Sequence, residues 1–180
     1  MTSEATEAGG ARRPWHRRLR DALVATLERT VIVLMLVLVL DVLWQVLSRY
    51  VLRAPSSWTD ELAVFLMTWT ALLGAAVAYA RRAHLGLDYF AGKLPARHRR
   101  RAALFTSAVV FLFAVGAMIV GGIRIVHLNI LTGQQSAALA MPMSWLYLAL
   151  PVSGCFIALF AAEEWAELRA GTDEDAEEGS

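Results

Sequence analysis

Cysteine is almost missing from this chain. Cys155 stands alone, so neither an internal disulfide nor CxxC chemistry is available. Histidines number four. His84 and His98 lie between apolar runs and His127 lies at the edge of one. A b-type haem needs histidines facing one another inside spans, so a redox membrane enzyme is disfavoured. Acids are scarce between residues 81 and 101, where Asp88 stands alone against Arg81, Arg82, Lys93, Arg97, Arg99, Arg100 and Arg101. Fixed charge is scarce between residues 124 and 144, where Arg124 is its sole carrier. No stretch is left for a separate soluble domain.

What the chain has is apolar bulk. Hydrophobic residues make up 57%, above the ~45–50% of soluble domains. They fall into four runs expected to span a membrane at about 30–48, 62–80, 103–123 and 145–162. About 19 helical residues cross a hydrocarbon core of roughly 30 Å. The expected fold is an all-α membrane protein of four transmembrane helices. Its parts are a basic segment 1–29, a membrane domain 30–166 and an acidic tail 167–180. The tail past Arg169 and residues 1–11 read as disordered.

The basic loop 81–101 belongs on the cytoplasmic side by the positive-inside rule, and the basic N-terminus agrees with it. Both ends are then cytoplasmic. Leu87, Phe90, Ala91 and Leu94 share one helical face, so a short interfacial helix is expected in that loop. Trp15, Leu19, Leu23 and Leu27 repeat at helical spacing and read as a juxtamembrane helix on anionic headgroups. Membrane lipids, not nucleic acid, are the partner such basic stretches imply here. Arg12–Arg13 and Arg17–Arg18 look like a twin-arginine signal, but the following run is too long and too hydrophobic. No small-residue cleavage site follows that run, so a cleavable signal is not expected.

The chain is organised around the hinge WQVLSRYVLRAPSSWTDE, residues 44–61. Charges and indoles gathered there fit a membrane–water interface. Pro55 stops the first helix. Ser57 is the expected N-cap of the second, with Asp60 and Glu61 at the positive end of its dipole. Arg49 is expected to hold the Asp60–Glu61 pair across the short loop, or to dock with it on another protein.

Asp41 is the one deep acid. An ionised Asp at a helix centre costs roughly 2.5–3.5 kcal/mol on insertion scales. Asp41 is therefore protonated or faces protein, and Gln45 follows it on the same face. The stripe Asp41, Gln45, Arg49 reads as an interhelical seam. The alternative is a small self-sufficient proton-coupled carrier using Asp41.

Small residues mark further seams. Ala71, Gly74, Ala75 and Ala78 form one face of the second run. Ala117 and Gly121 pair in the third, extended by Gly122, with Arg124 closing its outer end. The fourth starts after Pro142, is kinked by Pro151, and offers Gly154, Ala158 and Ala161.

The stretch SRYVLRAPSSWTDELAVFLMTWTALLGAAVAYARRAHLGLDYFAGKLP resembles the small membrane subunit of tripartite ATP-independent periplasmic (TRAP) transporters, the DctQ family. The residues that carry the likeness are Arg49–Tyr50, Pro55, Trp58, Asp60–Glu61, Gly74, His84 and Asp88. SAALAMPMSWLYLALPVSG adds Ser136, Pro142, Tyr147, Pro151 and Gly154. The resemblance covers about Thr30 to Glu164. It implies a non-catalytic scaffold in the bacterial inner membrane, without cofactor or metal. The implied partners are a large multi-span permease and a periplasmic binding protein that captures an organic acid. A sodium gradient would be used by the large subunit and not bound here.

Overall fold

The computed structural model describes the backbone of residues 15–54, 56–91 and 96–177, and side chains within 19–81 and 103–169. Its named elements are all helices, in the order α1 (Trp15–Tyr50), α2 (Ser57–Ala91), α3 (Ala96–Phe113), a π-helical segment (Ala114–Gly121), α4 (Gly122–Thr132), α5 (Ser144–Tyr147) and α6 (Ala149–Glu177). Among the described residues, four stretches are long and apolar enough to cross a membrane: Leu19–Tyr50, Ser57–Arg81, Ala103–Thr132 and Ser144–Arg169.

The helices outrun the apolar runs. Residues 15–50 contain neither glycine nor proline, so the basic segment and the first run form one rod. The second helix likewise continues to Ala91, so the expected interfacial helix is not a separate element before that residue. The third passes Ile123 and stops at Thr132, where Gly133 takes a left-handed φ of 60° and donates to the Ile130 carbonyl at 3.3 Å. The fourth stays helical to Glu177, beyond the expected fraying point at Arg169.

Two breaks have local causes. Arg53 adopts a left-handed φ of 49°, which lets the Ala54 N–H reach the Ser48 carbonyl at 3.2 Å and ends α1. The helix α2 then starts at Ser57, so Ser56 and not Ser57 stands in front of it. Thr59 is fully buried there and donates to the Ser56 carbonyl at 2.7 Å. In the fourth span the helix is interrupted at Leu148, between α5 and α6. Pro151 has no N–H for the Tyr147 carbonyl, which frees that turn to open.

The fourth span is the centre of the bundle. The helix α6 packs on α2, α3 and the π segment, whereas among the described residues α2 is the only named element whose backbone lies against α1. The core joins Leu27 of α1, Leu73, Ala76 and Ala80 of α2, Ala114 and Met118 of the π segment, and Ile157, Ala158 and Phe160 of α6. Its small residues allow the close backbone approach that association in lipid depends on.

Glycines set the tightest approach. A Cβ on Gly154 would lie 2.7 Å from Met118 Cβ, and one on Gly122 would lie 2.8 Å from Pro151 Cδ. The expected contact residue Gly121 meets nothing closer than the Gly116 carbonyl of its own helix, at 3.8 Å. Ala114, Met118 and Gly122 face the fourth span; of the expected seam, Gly122 packs there while Ala117 is exposed.

Candidate functional site

The polar groups sort into two clusters, one at each end of the bundle. The first lies where α1 turns into α2. Gln45 Nε2 donates to Asp60 Oδ1, which closes the hairpin across its short loop. Ser48 is buried and donates to the Gln45 carbonyl at 2.9 Å. Asp41, one turn before Gln45, is buried against α2. Its Oδ2 has no hydrogen-bond partner among the described residues.

Arg49 does not join them. It is exposed and pairs with neither Asp60 nor Glu61 among the described residues. Four helical residues advance about 400°, so a stripe at 41, 45 and 49 drifts roughly 40° per step and leaves the seam by its third member.

Glu61 goes elsewhere. Its carboxylate accepts from the Ser136 hydroxyl, from the Ala138 N–H at 2.9 Å and from the Leu139 N–H at 2.8 Å. These groups belong to the loop 133–143, which folds on itself through Ser136 N–H to Met141 O at 2.9 Å and Met143 N–H to Gln134 O at 3.0 Å. Pro142 is exposed and pairs with Gln135 in an isolated antiparallel bridge. One carboxylate therefore fastens the start of the second span to the link between the third and fourth. Lower down, Trp69 Nε1 donates to the Trp145 carbonyl at 3.2 Å. Trp58 remains 45% exposed at the helix start.

The predicted small-residue face of α2 is open among the described residues. Ala71, Ala75 and Ala78 are exposed, and a Cβ on Gly74 would meet nothing within 4 Å. The packed face carries Leu73, Ala76 and Ala80 instead. Val64 and Met67 extend the exposed stripe toward the hinge. Arg124 and His127 are exposed on α4, while Pro151 and Gly154 are buried in the bundle. The side chains of His84 and Asp88, and Pro55 itself, lie outside the described residues.

The second cluster, at the opposite end, joins residues that the sequence pattern, Arg81 and Ala161 apart, did not single out. Tyr79 donates to Glu164 Oε2 at 2.6 Å. Ser107 donates to the Ala161 carbonyl at 2.9 Å. Arg20 reaches the Ala80 carbonyl at 3.2 Å and Glu163 at 3.4 Å. Arg81 pairs with Glu28. The partners sit 53 to 143 positions apart, so no local spacing announces them; their placement at the ends of apolar runs was the one available signal.

Both clusters hold elements together. Among the described residues no group of His, Cys, Asp and Glu could hold a metal ion.

Comparison with known proteins fits this architecture. The family model described as tripartite ATP-independent periplasmic transporters, DctQ component, matches residues 38–171. The chain is 32% identical over 136 residues to the sialic acid TRAP transporter small permease protein SiaQ of Vibrio cholerae, which covers 75% of this chain and 77% of that one. It is 31% identical over 108 residues to the sialic acid TRAP transporter permease protein SiaT of Haemophilus influenzae, covering 60% of this chain and 17% of SiaT. It is 28% identical over 125 residues to the isethionate TRAP transporter permease protein DctMQ of Oleidesulfovibrio alaskensis, covering 66% of this chain and 20% of DctMQ.

Proposed function

Since the chain belongs to the DctQ family of TRAP transporters, as a small, non-catalytic, multi-pass permease subunit, we propose that it braces a larger multi-span permease in the bacterial inner membrane. In this reading the larger permease holds the substrate and sodium sites. A periplasmic binding protein delivers an organic acid, a carboxylate, and the sodium gradient drives uptake. Both chain ends are cytoplasmic, with the basic stretches on lipid headgroups. The hinge and the loop clasped by Glu61 face outward, where a binding protein arrives.

The observation that carries the proposal is the amount of apolar surface left uncovered. Only 6% of the apolar window of the first span is buried within the chain. Ile32, Val33, Leu36, Leu40 and Leu43 are all more than half exposed. A helix apolar all round is built to be covered by lipid or by protein. The open stripe Ala71, Ala75, Ala78 beside it lets another helix approach closely. In SiaT and DctMQ the matched part is a fraction of a longer permease, which supports a large permease as the neighbour.

The test is co-purification. A tagged copy of this chain, expressed with the large permease, is expected to retain it through detergent extraction and size exclusion. Recovery of this chain alone under lipid-retaining conditions contradicts the reading.

A further inference from the structure

We propose that the cleft between α1 and α2, at the Arg20 and Arg81 end of the hairpin, binds one phospholipid with a primary-amine headgroup, a zwitterion of the ethanolamine type. The cleft holds about 350 Å³, and its lining includes two bases and two acids, Arg20, Arg81, Asp21 and Glu28. Sites for small molecules measure roughly 300–1,000 Å³. The apolar lining is Val24, Ala25 and Ala80. With an alanine on each helix, the wall leaves a hollow that longer side chains would fill.

The cleft lies at headgroup depth. Ala80 ends the apolar run of α2, and Arg81 and Arg82 follow it. Thr30 begins the apolar run of α1, just past Glu28. Arg81 and Glu28 pair at that level. Arg20 lies further out along α1, yet its guanidinium reaches back to the Ala80 carbonyl at 3.2 Å and to Glu163 at 3.4 Å. Both guanidinium groups therefore sit where the hydrocarbon stops, which is where long basic side chains on an apolar stem place their charge. A soluble anion has no reason to be held at that depth. A lipid has one, because Val24 and Val31, a helical face apart from Glu28 by one turn each way, carry the apolar wall on toward the hydrocarbon.

The polar groups match a headgroup of both signs. Arg81 meets Glu28 through its Nε, and its side chain is 66% exposed. A guanidinium has five N–H donors, so its terminal amino groups are left for a phosphate. Glu28 accepts through Oε1, and a carboxylate has a second oxygen that can accept from an ammonium. Asp21 adds another acid to the same cleft. A headgroup with a phosphate alone would meet both acids with no cation to offset them, and like charges brought together select against a partner. A choline headgroup brings the positive charge but no N–H to donate.

The experiment is native mass spectrometry of the full chain released from mild detergent. Ethanolamine, choline and glycerol phospholipids of one acyl composition are supplied in equal amounts. The wild type should keep one ethanolamine lipid, several-fold more often than either of the others. Glu28→Gln should erase the preference over the glycerol lipid. Ala25→Phe, which fills the cleft and leaves every ion pair standing, should release the lipid. Inorganic phosphate should displace nothing. Equal retention of the three lipids, or a preference for the glycerol or choline lipid, overturns the proposal. So does an ethanolamine preference that survives Ala25→Phe, or displacement of the lipid by inorganic phosphate. The wild-type ranking decides alone if neither variant accumulates.

Discussion

The carboxylate of Glu61 and the hydroxyl of Ser136 are hydrogen-bonded across 75 positions of sequence. The bond ties the start of α2 to the loop before the fourth span. Glu61→Ala removes the acceptor shared by that hydroxyl and by the Ala138 and Leu139 amides. Hydrogen exchange at those two amides should then accelerate by about tenfold or more, since hydrogen bonds to charged groups are the strong ones. Exchange in the core around Phe160 should stay the same. Unchanged exchange in the loop would show that Glu61 does not order it.

Glycine positions separate packed from open faces. Gly154→Ala should destabilise the chain by about 1–3 kcal/mol, the usual cost of overpacking, because its Cβ would fall 2.7 Å from Met118 Cβ. Gly122→Ala should behave alike. Gly74→Ala has open space around it and should be neutral or stabilising by about 0.5–1 kcal/mol. Thermal unfolding in one detergent measures all three, and equal effects would contradict the assigned contacts.

Ala71→Leu and Ala75→Leu place bulk on the exposed stripe of α2. The chain alone should melt as the wild type does, while recovery of the large permease in pull-down falls several-fold. A fall in melting temperature with intact recovery would place the stripe inside this subunit.

Tyr79→Phe strips Glu164 of its phenolic donor at 2.6 Å. Polar contacts between membrane helices are worth about 0.6–2 kcal/mol, so a loss of that order is expected. The double variant with Glu164→Gln should lose less than the sum of the two single changes. Simple additivity in that cycle would mean that the two side chains do not interact.

Much of this was legible in the sequence. The four apolar runs, the break tied to Pro151 and the packing role of Gly154 all follow from local rules about length, proline and small residues. Helix ends were less legible, because polarity marks where a membrane stops and not where a helix does. With no glycine or proline before Val51 from residue 15 onward, α1 had nothing to end it at the membrane surface. Within the third span's expected seam, Gly122 packs on Pro151 and Gly121 does not, a choice between neighbours that depends on how the helix is turned toward the fourth span. The ties Glu61–Ser136 and Tyr79–Glu164 depend on how the spans are arranged, which no spacing along one helix encodes. Ala71, Ala75 and Ala78 did form one face, but that face is exposed among the described residues.

Uptake by proteoliposomes tests the central claim most directly. Vesicles with an imposed sodium gradient would carry this chain alone, the large permease alone, or both, with the binding protein and labelled organic acid outside. Uptake is predicted only where both subunits are present, and none from this chain alone. Sodium- or proton-driven uptake by vesicles holding this chain and no large permease would contradict the account.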